Sequence, residues 1–264
     1  MHKRIGLIAS LLLMTVVLAA CGTNEPITAE SEGFWNSFFV YPMSWLITWF
    51  SDFTGGHYGW GIVIVTILIR ILILPLALKA QKSSRAMQKL RPQMTEIQKR
   101  MKDAQDMQKK QEIQREMIGL YQKNGVNPAA GCLPAIIQIP IIMALYFAIM
   151  RTEAIGQGPE SHFLWFNLGE IDYVLPVIAA ITTFIAFKMS MSQMPANPLG
   201  EGMPNPMNML LWIFPVLIIA AGFTLPSALA LYWVIGNLFM IAQTYFVVIR
   251  PNQLEKAESD DNKA

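Results

Sequence analysis

Residues 61 to 78 read GIVIVTILIRILILPLAL. Only Thr66 and Arg70 interrupt the apolar run. A helix of this length rises about 27 Å, close to the hydrocarbon thickness of a bilayer. The stretch therefore predicts a spanning helix with Arg70 near its middle. A guanidinium does not lose its charge in a protein. Placing it at the centre of a membrane helix costs about 2.5–3.5 kcal/mol on insertion scales. An ionisable residue at that depth points to function, and the rest of the chain has to say which one.

Composition supports the membrane reading. Of 264 residues, 53% are hydrophobic and only 14% are charged, against about 25% charged in a soluble domain. Mean hydropathy is +0.38. The net charge is only +2, but its distribution is uneven. The two cysteines, Cys21 and Cys132, do not suggest a disulfide framework. No Cys/His cluster has the spacing of metal ligands. The chain carries no GxxxxGK, HExxH or GxSxG motif. No metal, cofactor or enzymatic activity of a familiar kind is expected.

The N-terminus, MHKRIGLIASLLLMTVVLAAC, has a basic start, an apolar stretch and small residues before a cysteine. That is the layout of a secretory signal peptide over 1–20. Leu18-Ala19-Ala20-Cys21 resembles a bacterial lipobox, which would make Cys21 the lipidated mature N-terminus, thioether-linked to a diacylglyceryl group. An ordinary signal peptide or an uncleaved first helix is the alternative. A polar linker covers 21–32. Over 33–57, Phe34, Phe38, Trp45 and Trp49 recur at near-helical intervals. Aromatics of this density favour the headgroup region, so an amphipathic helix at about 33–50 is predicted to lie on the outer interface. A sixth, shallow span is the other reading.

Five stretches qualify as spans: about 58–79, 131–151, 173–191, 208–223 and 226–249. The last two meet through Gly222-Phe223-Thr224-Leu225-Pro226, a tight hairpin. Charge sets the direction. Segment 79–123 sets twelve Lys/Arg against five Asp/Glu, a net +7. Segment 151–172 sets Arg151 against four acids, a net −3. The positive-inside rule puts the first segment in the cytoplasm and the second outside. The tail 251–264 then ends inside.

The basic segment reads as a cytoplasmic helical hairpin at 80–127. Met87, Leu90, Met94, Ile97 and Met101 follow a 3, 4, 3, 4 spacing, a heptad seam. Asp103-Ala104-Gln105-Asp106 breaks it, and Ile113, Met117 and Leu120 make a second stripe. Pro92 predicts a kink or a late start in the first arm. Asn127-Pro128 reads as the N-cap and first residue of span two. The methionine-rich stripe either zips the hairpin or offers an adaptable binding surface. Its basic charge suits anionic lipid or ribosomal RNA. The second cytoplasmic loop, SQMPANPLGEGMPNPMNM, is predicted to be irregular.

Few polar residues lie at membrane depth. They are Thr66 and Arg70, four apart on one face of span one; Gln138 in span two; Thr182 and Thr183 in span three; and Asn237 in span five. Trp233, Asn237, Met240 and Thr244 recur at 4, 3, 4. No span holds an Asp or Glu. Arg70 therefore has no carboxylate partner at that depth, and its donors must meet water, carbonyls or neutral side chains. Prolines 75, 134, 140, 176 and 215 in or at the ends of spans free backbone carbonyls. A hydrated cavity that would attract acidic groups of a client is the simplest arrangement. Arg70 held by neutral hydrogen bonds in a structural role is the alternative.

VYPMSWL in the outer helix, ILPLALKAQKSSRAMQKLRP after the arginine, NPAAGCLPAIIQIPIIMALYFAI and ALALYWVIGNLFMIAQTYF occur in this order over about 33–250. This series resembles the YidC family of membrane protein insertases, in a short bacterial form. The resemblance implies an all-α integral membrane protein with five transmembrane helices, an outer amphipathic helix and a cytoplasmic helical hairpin. It implies a hydrophilic groove open to the cytoplasm and lipid and closed outside. Arg70 carries over as the groove cation, with Thr66, Gln138, Thr183, Trp233 and Asn237 as groove candidates. Implied partners are nascent membrane protein clients, the ribosome, the Sec translocon, the signal recognition machinery and lipid. The expected location is the bacterial cytoplasmic membrane. The tail is short and of mixed charge, unlike the long basic tails of some relatives, which weakens a ribosome contact there.

Two other classes are distinguishable. A channel or transporter would need a polar path through both faces, often with internal repeats, and neither pattern is visible. An intramembrane protease would need a Ser–His or Asp pair in the spans, and these hold no His, Asp or Glu. A folding chaperone acting after another machine lies close to the insertase reading.

Overall fold

Among the described residues, five apolar helices, an aromatic-rich helix packed at one end of them and a helical hairpin at the other make up most of the fold. The structure is a computed structural model that describes residues 25–125, 133–191 and 206–251. The leader, Cys21, Asn127-Pro128, Cys132, most of the Pro/Met/Asn-rich loop and the tail from 252 lie outside the described residues.

The amphipathic segment starts with a π-helical turn, Asn36–Val40, and continues as α1, Tyr41–Phe53. Pro42 sits in the first turn of α1. A proline has no N–H to give to a helix carbonyl, and the widened turn before it absorbs that loss. Phe34, Phe38, Trp45, Trp49 and Phe53 are all exposed, and Trp45, Trp49 and Phe53 stack along one face. Val40, Ser44, Ile47 and Ser51 face inward. The helix reaches Phe53, three residues past its predicted end.

Helix α2 runs unbroken over Tyr58–Lys89, 32 residues. It passes Pro75 without stopping and carries the predicted span straight into the hairpin. Gly61 makes its crossing with α1: a Cβ there would overlap the Ile47 carbonyl. The break comes at Leu90, after which α3 covers Arg91–Asp103 with Pro92 in its first turn. Of the two outcomes expected from Pro92, a kink or a late start, this one-residue break is the kink. Helix α4, Met107–Lys123, begins with Asp106 as N-cap, its carboxylate accepting from the Gln108 amide at 3.1 Å. Leu90 and Met94 are buried against Met117, Leu120 and Tyr121, and Ile97 is buried as well. These members of the stripe zip the hairpin. Burial pushes the Tyr121 phenol above its usual pKa. Arg100 and Glu116 join the arms at 2.5 Å, with both side chains about half exposed.

Helices α5 (Leu133–Arg151), α6 (Leu175–Met191), α7 (Pro206–Gly222) and α8 (Ser227–Thr244, then a π turn Tyr245–Ile249) complete the bundle. Helices α6 and α8 pack together, α6 also holds α7, and α2 leans on α8. Among the described residues, only Tyr58–Ser83 and Ser227–Val247 are both long and apolar enough to cross a membrane by themselves; the other three apolar helices are shorter. Large apolar side chains such as Leu72, Ile181, Trp212 and Val216 stand exposed around the bundle. An apolar surface of this extent suits lipid rather than water.

Between α5 and α6 the sequence predicts only a loop. The structure places there a 3₁₀ turn, Pro159–Ser161, and a two-stranded hairpin, β1 (His162–Phe163) and β2 (Phe166–Asn167). Two-residue strands leave no periodic signature to read. The segment caps the bundle. The Ser227 and Ala228 amides, orphan donors of the first turn of α8, donate to the carbonyls of Glu170 (2.8 Å) and Leu168 (3.1 Å). The Ser227 hydroxyl donates to the Asn167 carbonyl at 2.6 Å. Asp172 N-caps α6 by accepting from the Val174 and Leu175 amides. Phe163 packs edge-on to Trp60, against Gly59.

Leu164 at the tip has φ 56° and is 68% exposed. A left-handed backbone costs a non-glycine residue about 1–2 kcal/mol, less for asparagine. Leu164→Asn is therefore expected to stabilise the fold by roughly 0.5–1 kcal/mol, read as a higher thermal midpoint in detergent. A lower midpoint would mean that the leucine side chain contributes more through apolar contact than its backbone costs.

The same end contains Arg151, only 7% exposed. Its Nε donates to the Glu25 carbonyl and its Nη1 to the Asn36 side-chain oxygen, both at 2.8 Å. Its own carbonyl accepts from the Ile27 amide at 2.9 Å. Nearby, the Ser44 and Thr152 hydroxyls are 2.6 Å apart. The linker after Cys21, read from sequence as a tether, is thus tied to the end of α5 from Glu25 onward.

Candidate functional site

Burial along the helices is lopsided, and this positions the site. In α2, Ile62, Val63, Val65 and Thr66 are buried, and from Ile67 to Lys79 no residue is. In α5, Ala144, Leu145, Ala148, Ile149 and Arg151 are buried, and none from Ile137 to Met143. In α8, burial is nearly continuous from Ser227 to Asn237, then returns only at Thr244. The bundle is packed tight at the β-hairpin end and loosens toward the helical hairpin. Helix α5 takes its support from α1 and the turn at 36–40, and meets α2 and α8 only sparsely.

Arg70 stands where the tight half ends. Thr66, one turn before it, is 1% exposed and returns its hydroxyl to the Ile62 carbonyl at 2.6 Å. Arg70 is half-buried and lies against α8 at Gly236. Tyr232 lies one turn before Gly236 on the same face of α8. Gln138 of α5 donates through Nε2 to the Tyr232 hydroxyl. Arg70, Tyr232 and Gln138 thus bring three helices to one polar locus. Among the described residues no carboxylate pairs with Arg70, and no group accepts a hydrogen bond from it. No cluster of His, Cys, Asp or Glu among the described residues could hold a metal.

The other predicted residues sit elsewhere. Asn237 points toward α6: its Nδ2 donates to the Thr183 hydroxyl at 2.6 Å, with the Thr182 hydroxyl and Ala179 carbonyl at 3.3 and 3.4 Å. These groups are buried and satisfy one another, so they join α8 to α6. Trp233 is partly buried and packs on the apolar core. The 4, 3, 4 recurrence of Trp233, Asn237, Met240 and Thr244 follows a face adjacent to the one that meets Arg70.

Tyr232 and Gly236 are the residues that sequence reasoning missed. They are four apart and so share a face. A signal existed. A glycine inside a helix costs about 1 kcal/mol relative to alanine, and such a glycine usually has a packing reason.

The sequence matches the family described as 60Kd inner membrane protein over residues 49–254. It is 51% identical over 261 residues to the membrane protein insertase YidC of Alkalihalophilus pseudofirmus, covering 96% of this chain and 98% of that one. It is 47% identical over 251 residues to the membrane protein insertase MisCA of Bacillus subtilis, covering 94% and 92%. The fold is similar, with a TM-score of 0.60 at 28% identity, to a crystal structure of an active YidC insertase with its first transmembrane domain resolved. That likeness covers 81% of this chain and 47% of the other.

Proposed function

The chain belongs to the YidC family of membrane protein insertases, and on that premise we propose that it inserts and folds membrane proteins through a groove floored by Arg70. The observation that carries this reading is a guanidinium without an ion pair among the described residues, at the boundary between a sealed half-bundle and an open one. A cation desolvated by apolar helices and lacking an anion of its own favours an anion that arrives.

The proposed arrangement has five spans. The β-hairpin end faces outside and the basic helical hairpin faces the cytoplasm, as the +7 and −3 segments favour. Cys21 carries the lipid. Clients enter from the cytoplasm. Arg70 and groove water replace part of the hydration of a client's polar or acidic outer segment, which lowers the cost of desolvation. The client's apolar segment then slides into lipid beside α6 and α8, gaining about 0.8 kcal/mol per buried CH₂. That partitioning drives the step. Ribosome, Sec translocon and signal recognition contacts belong to the basic cytoplasmic surface. Buried apolar side chains fill the β-hairpin end, which supports an insertase over a channel.

Photocrosslinking tests the path. A photoreactive residue at Gln138 is expected to capture an acidic single-span client during insertion, and one at exposed Trp212 to capture far less. Equal capture at both positions would remove the groove from the mechanism.

A further inference from the structure

Gly236 is the only glycine in α8. A Cβ built there would lie 2.5 Å from Nη2 of Arg70, 3.2 Å from Nε and 3.3 Å from Cζ. Three atoms of the guanidinium therefore approach the same point on the helix. The cation lies against bare backbone, in a seat that exists because no side chain fills it.

One turn earlier on the same face, Tyr232 is 2% exposed. Its oxygen accepts from Gln138. A phenol has one proton to donate, and among the described residues nothing accepts it. The phenol donor and the guanidinium donors thus lie in one locus, where both are left open. The rotation of α8 that presents them is held from its other side by Asn237 on Thr183 and Thr182.

We infer that Gly236 is a positioning residue for Arg70, and that Arg70 and Tyr232 form a two-donor receptor for a single client carboxylate. A carboxylate has two oxygens and several lone pairs, so it can take a guanidinium N–H and the phenol O–H together. A neutral amide or hydroxyl in the client has one acceptor atom and no charge. The seat therefore favours Asp or Glu in the client's outer segment over Asn or Gln. This inference rests on the insertase reading.

The seat can be tested because the group it would displace is flexible. In Gly236→Ala the new methyl meets the end of an arginine side chain, so the guanidinium moves and the helix does not. Alanine also favours helix by about 1 kcal/mol over glycine. The variant is thus expected to keep or raise the thermal midpoint while losing selectivity.

The measurement is the ratio of initial insertion rates, in membrane vesicles, for two single-span clients. They differ only in whether the outer segment carries Asp/Glu or Asn/Gln. Relative to the parent chain, Gly236→Ala and Tyr232→Phe are each expected to lower this ratio, roughly tenfold or more for one lost hydrogen bond to a charged group. The double variant Arg70→Lys with Gly236→Ala is expected to recover it, because an ammonium lacks the plane that needs the seat. If both single variants keep the parent ratio while Arg70→Ala loses it, the receptor is refuted and the groove cation survives. If Arg70→Ala also keeps the ratio, the groove-cation reading fails as well. A fall for both clients alike, with a lower midpoint in Gly236→Ala, would make the glycine a packing residue and overturn the inference.

Discussion

Arg70→Ala is expected to slow insertion of a small client with an acidic outer segment by roughly ten- to a hundredfold, the loss of a charged hydrogen-bonding partner worth about 1.5–3 kcal/mol. Arg70→Lys is expected to retain most of the activity, since an ammonium supplies the charge though not the planar fork. The assay is complementation of cells depleted of their own insertase, at matched protein levels. Neutralising the client's acids should relieve the alanine defect. Stability should move the other way. Among the described residues Arg70 makes no ion pair and donates no hydrogen bond, so removing it takes away a charge held at a cost in an apolar setting. The thermal midpoint of Arg70→Ala is expected to stay level or rise. A variant that loses both activity and midpoint would show Arg70 to be a structural residue, and one that inserts every client normally would place the activity elsewhere.

Arg151→Ala should do the opposite, lowering stability while acting far from the groove. The arginine is nearly covered, and it holds the Glu25 carbonyl, the Asn36 side chain and the end of α5 together. Its loss removes two part-buried hydrogen bonds from a charged donor and leaves a cavity, a cost of about 2–4 kcal/mol. The expected reading is a fall of several degrees in the thermal midpoint, with faster proteolysis near residues 25–31. Asn36→Ala removes only one of the contacts and should cost about 0.5–1.5 kcal/mol. An unchanged midpoint and unchanged cleavage in Arg151→Ala would mean that the linker is held by other contacts.

The two arginines show how far sequence carries. Both lie in helices that themselves hold no Asp or Glu. Sequence singles out Arg70 because it stands deep inside an 18-residue apolar run, where burial of a charge has no bland explanation. It treats Arg151 as one charge of an outer loop, because that residue sits at a helix end, where arginines usually meet water. Only tertiary contact with residues more than a hundred positions away makes it a clamp.

The helices, the kink at Pro92, the break before Asp106 and the seam of Leu90, Met94 and Ile97 are local properties. They follow from periodicity, proline chemistry and capping, which act within one or two turns, and so they are legible in the chain alone. The partner of each polar side chain is not. Asn237 turns to α6 and Tyr232 to Arg70 although they are five residues apart on one helix. The packing of α8 between α6 and α2 sets that rotation. The short β-hairpin, the Gly236 seat and the contrast between a sealed end and an open one likewise arise from how helices meet. Sequence by itself determined that a cation stands inside an apolar run that holds no Asp or Glu. Tertiary structure decided which surfaces face it, because a helix's own periodicity says which residues share a face and nothing about which face is covered.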